Sequence, residues 1–207
     1  MSSDLKVTNI KHESSSSNNL VLASDGTTTV NGALTASGGI KVADGGNIGS
    51  VSDTDAISIS SAGYVIDSRR PYFWVRGDHG SEDIGNNNRF PFNQITTDNG
   101  NHWNTTGYYF TTPVAGLYFF TAQLYWYNNV DSIDVEIDSS DTSDSNLVSL
   151  GRIIYDPRGS DMIFHVRALC YLSANRRVSV RNKAGGNRSW YFNDAGRHTA
   201  FQGCLIG

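Results

Sequence analysis

Hydrophobic and polar positions alternate with period two through most of the chain after residue 70, and turn residues end each run. Such alternation marks half-buried strands, whose successive side chains point to opposite faces. It predicts strands over 72–76 (YFWVR), 90–96 (FPFNQIT), 108–112, 116–127 (GLYFFTAQLYWY), 132–137 (SIDVEI), 147–155, 162–172, 177–182 and 199–206. In 132–137, Ile133, Val135 and Ile137 share one face, with Asp134 and Glu136 on the other. In 162–172, Phe164, Val166, Ala168, Cys170 and Leu172 share a face, and His165 falls opposite, at an exposed or interface position. No stretch has a helical period with caps. Many short strands over 71–207 predict an all-β sandwich or jelly roll, large enough to fold by itself.

The first 70 residues carry a thinner pattern. Short β-prone runs at 19–23, 27–30, 39–42 and 56–60 are separated by Asp25-Gly26, Asn31-Gly32, Gly38-Gly39, Gly45-Gly46 and Gly49-Ser50. Asp-Gly and Asn-Gly favour tight turns because they tolerate positive φ. Tyr64 is the lone aromatic residue before residue 71, and all four prolines come after it. So little apolar mass does not offset the ordering entropy within one chain. The segment is therefore a flexible linker, or a thin β segment intertwined with other copies that share its Leu, Val and Ile residues. The composition divides the chain into an attachment or stalk segment, 1–70, and a knob, 71–207.

Charge narrows the partners. The 207 residues include 16 Lys+Arg and 20 Asp+Glu, for a formal net charge of -4. A nucleic-acid binder would show a basic balance, so no nucleic-acid partner is expected. The run 116–127 is broken by Thr121 and Gln123 and falls short of the about 20 apolar residues of a membrane helix, so no membrane insertion is expected. The N-terminus lacks the charged and apolar regions of a secretory signal. Cys170 and Cys204 are too few for a disulfide framework or a four-cysteine zinc site, and both read as reduced, packed thiols.

Candidate chemistry is sparse. The five histidines, His12, His79, His102, His165 and His198, form no H-x-x-x-H spacing. No nucleophile elbow, phosphate loop or dinucleotide motif occurs, and Asp53, Asp55, Glu82 and Asp83 identify no acid/base pair. The chain is expected to be no enzyme. Asp138, Asp141 and Asp144 recur every three residues in a Ser-rich loop; their oxygens suit calcium, although the glycine and closing glutamate of an EF-hand are missing, and the alternative is a solvated acidic loop. Apart from calcium no cofactor is expected. Arg176, Arg177, Arg181 and Arg188 stand near Trp190 and Tyr191. This basic-aromatic stretch reads either as a surface that contacts an anionic glycan, or as charge that complements acids across an interface.

The ordered series Phe92-Asn93-Gln94-Ile95, then Asn101-His102-Trp103, then Thr106-Gly107-Tyr108-Tyr109-Phe110-Thr111-Thr112-Pro113-Val114-Ala115-Gly116-Leu117-Tyr118-Phe119-Phe120 resembles the globular head of complement component 1q. So does the ending Phe201-Gln202-Gly203-Cys204-Leu205-Ile206. Trp103 replaces that family's usual tyrosine, and one extra residue lies between Gly107 and Phe110. The resemblance implies a ten-stranded jelly roll shared with tumour necrosis factor, assembled as a homotrimer, with Phe92, Trp103, Phe110, Tyr118, Phe119, Phe120 and Phe201 in its core or trimer contact. Physics supports part of this: Tyr118 and Phe120 share one pleat face and Phe119 takes the other, so the strand needs burial on both sides.

Segments such as 19–27, 45–49 and 52–57 resemble the low-complexity parts of tailed-phage fibres, above all those of phages infecting marine cyanobacteria. The joint resemblance implies a structural protein on the exterior of a phage particle. Residues 1–70 would bind a capsid or tail protein, and the knob would stabilise the capsid or adhere to a host-surface glycan or protein. Seventy extended residues span at most about 230 Å, which suits a short fibre, spike or decoration. The alternatives are a tail-located receptor-binding spike and a secreted cytokine-like ligand.

Overall fold

The computed structural model describes residues 7–52, 54–67, 69–126, 132–156, 162–192 and 199–207. Asp53, Tyr127 and His198, named above, lie outside them. The described chain is all strand, turn and loop, with no helix long and apolar enough to cross a membrane among the described residues. It divides into two compact units, Met1–Gly46 with Ile59–Tyr64, and Asn47–Ser58 with Val65–Gly207.

The short strands are β1 (Asn9–Ile10), β2 (Leu20–Leu22), β3 (Thr28–Val30), β4 (Asn47–Ile48), β5 (Ile57–Ile59) and β6 (Val65–Asp67). They form two antiparallel three-stranded sheets, β1-β2-β3 and β4-β5-β6. Gly26 at φ 86° supplies the left-handed turn between β2 and β3, as its Asp-Gly pair predicts. The expected strand at 39–42 is absent; Gly38-Gly39 instead forms a turn. No large apolar side chain of β1–β6 is fully buried, and Val7, Ile10, Val30, Leu34, Ile40, Ile48, Tyr64 and Val65 are exposed.

The knob strands are β7 (Tyr72–Arg76), β8 (Ser81–Ile84), β9 (Gln94–Asn99), β10 (Trp103–Asn104), β11 (Tyr109–Thr111), β12 (Gly116–Trp126), β13 (Ile133–Ser140), β14 (Val148–Tyr155), β15 (Met162–Leu172), β16 (Arg177–Asn182), β17 (Arg188–Tyr191) and β18 (Ala200–Leu205). Two sheets result. One runs β10-β11-β16-β13-β14. The other is organised by β12, which pairs over its full length with β15. The opposite edge of β12 pairs with β18, which leads on to β7 and β9, and at Trp126 with β17, which leads on to β8.

The core lies between the sheets and is largely aromatic. Tyr118, Phe120, Ala122, Leu124 and Trp126 on one pleat face of β12 are fully buried. Phe73 stacks on Phe110 at 4.6 Å, and Phe201 meets Phe73 edge-on at 5.0 Å. Such pairs add about 0.5–1.5 kcal/mol each beyond area burial. Trp103 is buried and its indole N–H donates to the Phe92 carbonyl at 3.2 Å. Gly203 is required by packing, since a Cβ there would lie 2.3 Å from the Phe120 ring.

The sequence expectation lacks β8, β10 and β17, and it differs from the structure in the bounds of β9 and β13. The strand expected at 90–96 begins at Gln94 and ends at Asn99, because Phe90 and Phe92 are core plugs on a connecting segment. β8 (SEDI) went unread because it is polar and pairs with β17 alone. β13 continues through Ser140, where its hydroxyl-bearing end is buried.

Candidate functional site

Each sheet has an outer face, and the two differ. On β13 and β16 the outer side chains form a ladder of charge. The register sets Glu136 opposite Arg181, Asp138 opposite Ser179, and Ser140 opposite Arg177. Asp138 is fully buried; it accepts from the Ser179 hydroxyl at 2.7 Å and pairs with Arg181 Nε at 2.7 Å. Burial pushes its carboxyl above the usual range, opposed by that hydroxyl and by Arg181 and Lys183. Arg152 pairs with Asp134 at 2.5 Å, and Lys183 approaches Glu136 at 3.8 Å. Asp144 binds Arg89 and, at 3.3 Å, Arg177. Both guanidiniums lie over the Tyr109 ring, at 4.8 and 4.4 Å. Burial opposes ionisation of Asp144, and the two arginines outweigh it, so its carboxyl sits below the ordinary range.

This ladder absorbs the basic stretch. Arg176 donates to Ser139 Oγ and the Asn146 carbonyl, and Arg188 to the Ser132 and Ala184 carbonyls. Trp190, read as a surface-binding side chain, is instead completely buried, because β17 turns it inward against Trp126 and Phe90 at 4.9 Å each. Tyr191 points the other way, half-buried on Tyr125.

The three aspartates of the calcium expectation are bound to separate partners. Asp138 belongs to the ladder and Asp144 to its arginines. Asp141 closes its own loop, accepting from the Ser143 hydroxyl at 2.7 Å, the Ser145 amide at 2.9 Å and the Asn146 amide at 2.7 Å. Those donors hold its carboxyl down at about 2. Among the described residues no three His, Cys, Asp or Glu side chains are grouped to hold a metal ion. Cys170 and Cys204 are free, half-buried thiols, and burial raises Cys170.

The outer face of the other sheet is open. The second pleat face of β12 carries Leu117, Phe119, Thr121, Gln123 and Tyr125, all half-buried. Its register partners on β15 are Tyr171, Leu169, Arg167, His165 and Ile163, all exposed, with Tyr171 at 72% and Leu169 at 62%. On the far side, Ala200, Gln202 and Cys204 of β18 and then Tyr72, Trp74 and Arg76 of β7 continue the face. β15 also borders β14, where Val148, Ile154 and Tyr155 are exposed. Between Trp74, Phe119, His165 and Arg167 lies a depression of about 390 Å³, also lined by Gln123 and Gln202.

The expected core and contact residues sort onto this frame. Phe92, Trp103, Phe110, Tyr118, Phe120 and Phe201 are buried in the core, while Phe119 stands on the open face. The sequence reading missed Arg167, Leu169 and Tyr171. Their signal is that 162–172 carries bulky residues on both faces of the strand.

Two sheets with this connectivity and an aromatic interior match solved domains. The structure superposes on Eiger TNF from S. frugiperda with a TM-score of 0.56, at 14% identity over 67% of this chain and 94% of that one. The globular domain of zebrafish complement 1qA protein gives 0.51 at 19% identity, over 66% and 98%. The fold is the jelly roll of tumour necrosis factor and complement 1q. Murine APRIL shares this jelly roll, at TM-score 0.53 and 9% identity over 66% and 99%. No family sequence model and no curated protein matches the chain by sequence. This jelly roll accounts for the aromatic series at 92–120 and the closing strand, both of which lie on elements that meet in its core.

Proposed function

We propose that the chain is a non-enzymatic, homotrimeric display protein: residues 1–70 mount it, and the jelly-roll knob 71–207 is presented outward. The observation that carries this reading is the open sheet face. Large apolar side chains are exposed there (Ile163, Leu169, Tyr171 and Tyr72), and Val148, Ile154 and Tyr155 are exposed on β14, which borders β15. The patch has two unlike halves, a sheet face and an edge. An edge that fits a neighbour's face makes a heterologous contact, and such contacts close into rings. Three copies is the number implied by the complement 1q resemblance. The exposed apolar residues of β1–β6 find a matching explanation, because three intertwined copies give them partners.

The mounting segment supports the exterior of a tailed-phage particle as the place of display, through contact with a capsid or tail protein. Three weak sites per trimer and many trimers per particle then give adhesion to a host surface by avidity. Immunogold labelling of particles with antibody against 71–207 tests this. Label on the head makes the chain a capsid decoration, and label on the tail makes it a receptor-binding spike. Bare particles beside a positive blot of infected cells exclude both.

A second reading, a secreted cytokine-like ligand, is favoured by the likeness to Eiger TNF and APRIL. Under that reading the soluble knob binds a cell-surface protein at saturable density and no particle carries it.

A further inference from the structure

We propose that the depression on the open face is an oxyanion site, occupied by inorganic phosphate or sulfate, and that self-association through this face encloses it. The second half rests on the homotrimer reading; the first half does not.

Arg167 and His165 lie two residues apart on the same face of β15. Their register partners on β12 are Thr121 and Gln123, and Thr121 pairs onward to Gln202 on β18. Strands are spaced about 4.8 Å apart, so a guanidinium, an imidazole, the Gln202 amide and the Thr121 hydroxyl converge over three neighbouring strands. No carboxylate lines the depression, and Trp74 and Phe119 wall it.

The state of the cations sets this place apart. Arg70, Arg89, Arg152, Arg177 and Arg181 each meet a carboxylate within the chain. Arg167 and His165 make no hydrogen bond or ion pair with any described residue. Burying an unpaired guanidinium under a partner is costly. A tetrahedral oxyanion resolves this difficulty. Its oxygens match the guanidinium fork in two parallel hydrogen bonds, and the imidazole N–H and the Gln202 amide donate to the rest.

The test is sedimentation and thermal melting of the full chain in phosphate, in sulfate and in chloride, at equal pH and ionic strength. Phosphate is expected to move the association midpoint to about tenfold lower protein concentration than chloride. Arg167→Gln is expected to remove that shift and to associate in chloride at least as well as the native chain. Arg167→Lys, which keeps charge but loses the fork, should retain part of it. If Arg167→Gln fails to fold by circular dichroism, His165→Asn and Gln202→Leu carry the comparison.

A trimer indifferent to phosphate overturns the site and leaves self-association standing. So does a shift that Arg167→Gln leaves unchanged, since the ion then acts elsewhere. A monomer at every concentration whose melting still rises with phosphate through Arg167 overturns self-association alone. A monomer with no such rise overturns both. Equal shifts in phosphate and sulfate indicate a general oxyanion site, and a shift in one alone identifies the ion.

Discussion

The two outer faces of the knob have similar ingredients and opposite fates. Both carry arginines beside aromatic rings on long antiparallel strands. On β13 and β16 every such cation is matched: Arg181 with Asp138, Arg152 with Asp134, and Arg177 and Arg89 with Asp144 around Tyr109. On β12, β15, β18 and β7 the aromatics Phe119 and Tyr171 have no second layer over them among the described residues, and no acid among these lines the depression beside Arg167. Basic and aromatic residues therefore do not by themselves indicate a binding surface. What matters is whether the chain has already supplied the counter-charge and the cover.

The comparison breaks most severely at its closed side. Asp138→Ala leaves Arg181 inside the sheet without its carboxylate, and is expected to cost about 3–5 kcal/mol in urea unfolding, with association of the remaining folded chain unchanged. A loss under 1 kcal/mol would mean that the ladder is solvated. Next comes the wall between the faces. Gly203→Ala drives a Cβ into Phe120 and Phe73 and should cost about 1–3 kcal/mol by the same measurement.

On the open side the balance inverts. Leu169→Glu or Tyr171→Glu should alter the stability of the monomer by less than about 0.5 kcal/mol, yet abolish the larger species in sedimentation velocity. Retained association would place the interface elsewhere. The smallest effect is in the loop that joins the ladder to β14. The folded Asp141 carboxyl is held at about 2, below its ordinary 3.8, so its contribution is present above about pH 4 and is lost as pH falls towards 2. An NMR titration of Asp141 should show a midpoint near 2; one at the ordinary value would mean that the Ser143 and Ser145 contacts do not persist. Asp138 has the opposite sign, because burial raises it, and its ionisation penalty is relieved on acidification. Calcium should leave the melting temperature unchanged.

Much of the fold was legible because alternation is strict where a strand separates two environments. β12 and β15 read from their patterns to within a residue, and so did the buried faces of β13 and β16. Short or polar strands were the losses, β10 and β17 among them. β8 is polar, and β9 is polar after Ile95 while its two phenylalanines stand outside it. The site was less legible than the fold. Arg181 and Asp138 are 43 residues apart, and Arg89 and Asp144 are 55 apart, so no local pattern announces that they neutralise one another. For Trp190 the pattern marked an aromatic residue beside charge, and the pairing of β17 with β12 at Trp126 decided which way the ring turned. The alternation put Phe119 on the face opposite Tyr118 and Phe120, and which of the two faces the core is shows only in the structure.

The position of β18 carries a consequence for how a cell makes this protein. It is the last strand in the sequence, yet it lies between β7, the first of the knob, and β12. A growing chain on the ribosome has therefore made every other strand before the central slot can be filled. Contacts of such long sequence separation form slowly, and until then β7 and β12 present unpaired edges to other nascent chains. A translation product halted before Ala200 lacks Phe201 and the strand that joins β7 to β12, so it has no route to a sealed knob. The knob therefore closes only once the chain has been made through Leu205, and a lower synthesis temperature is expected to improve the soluble yield.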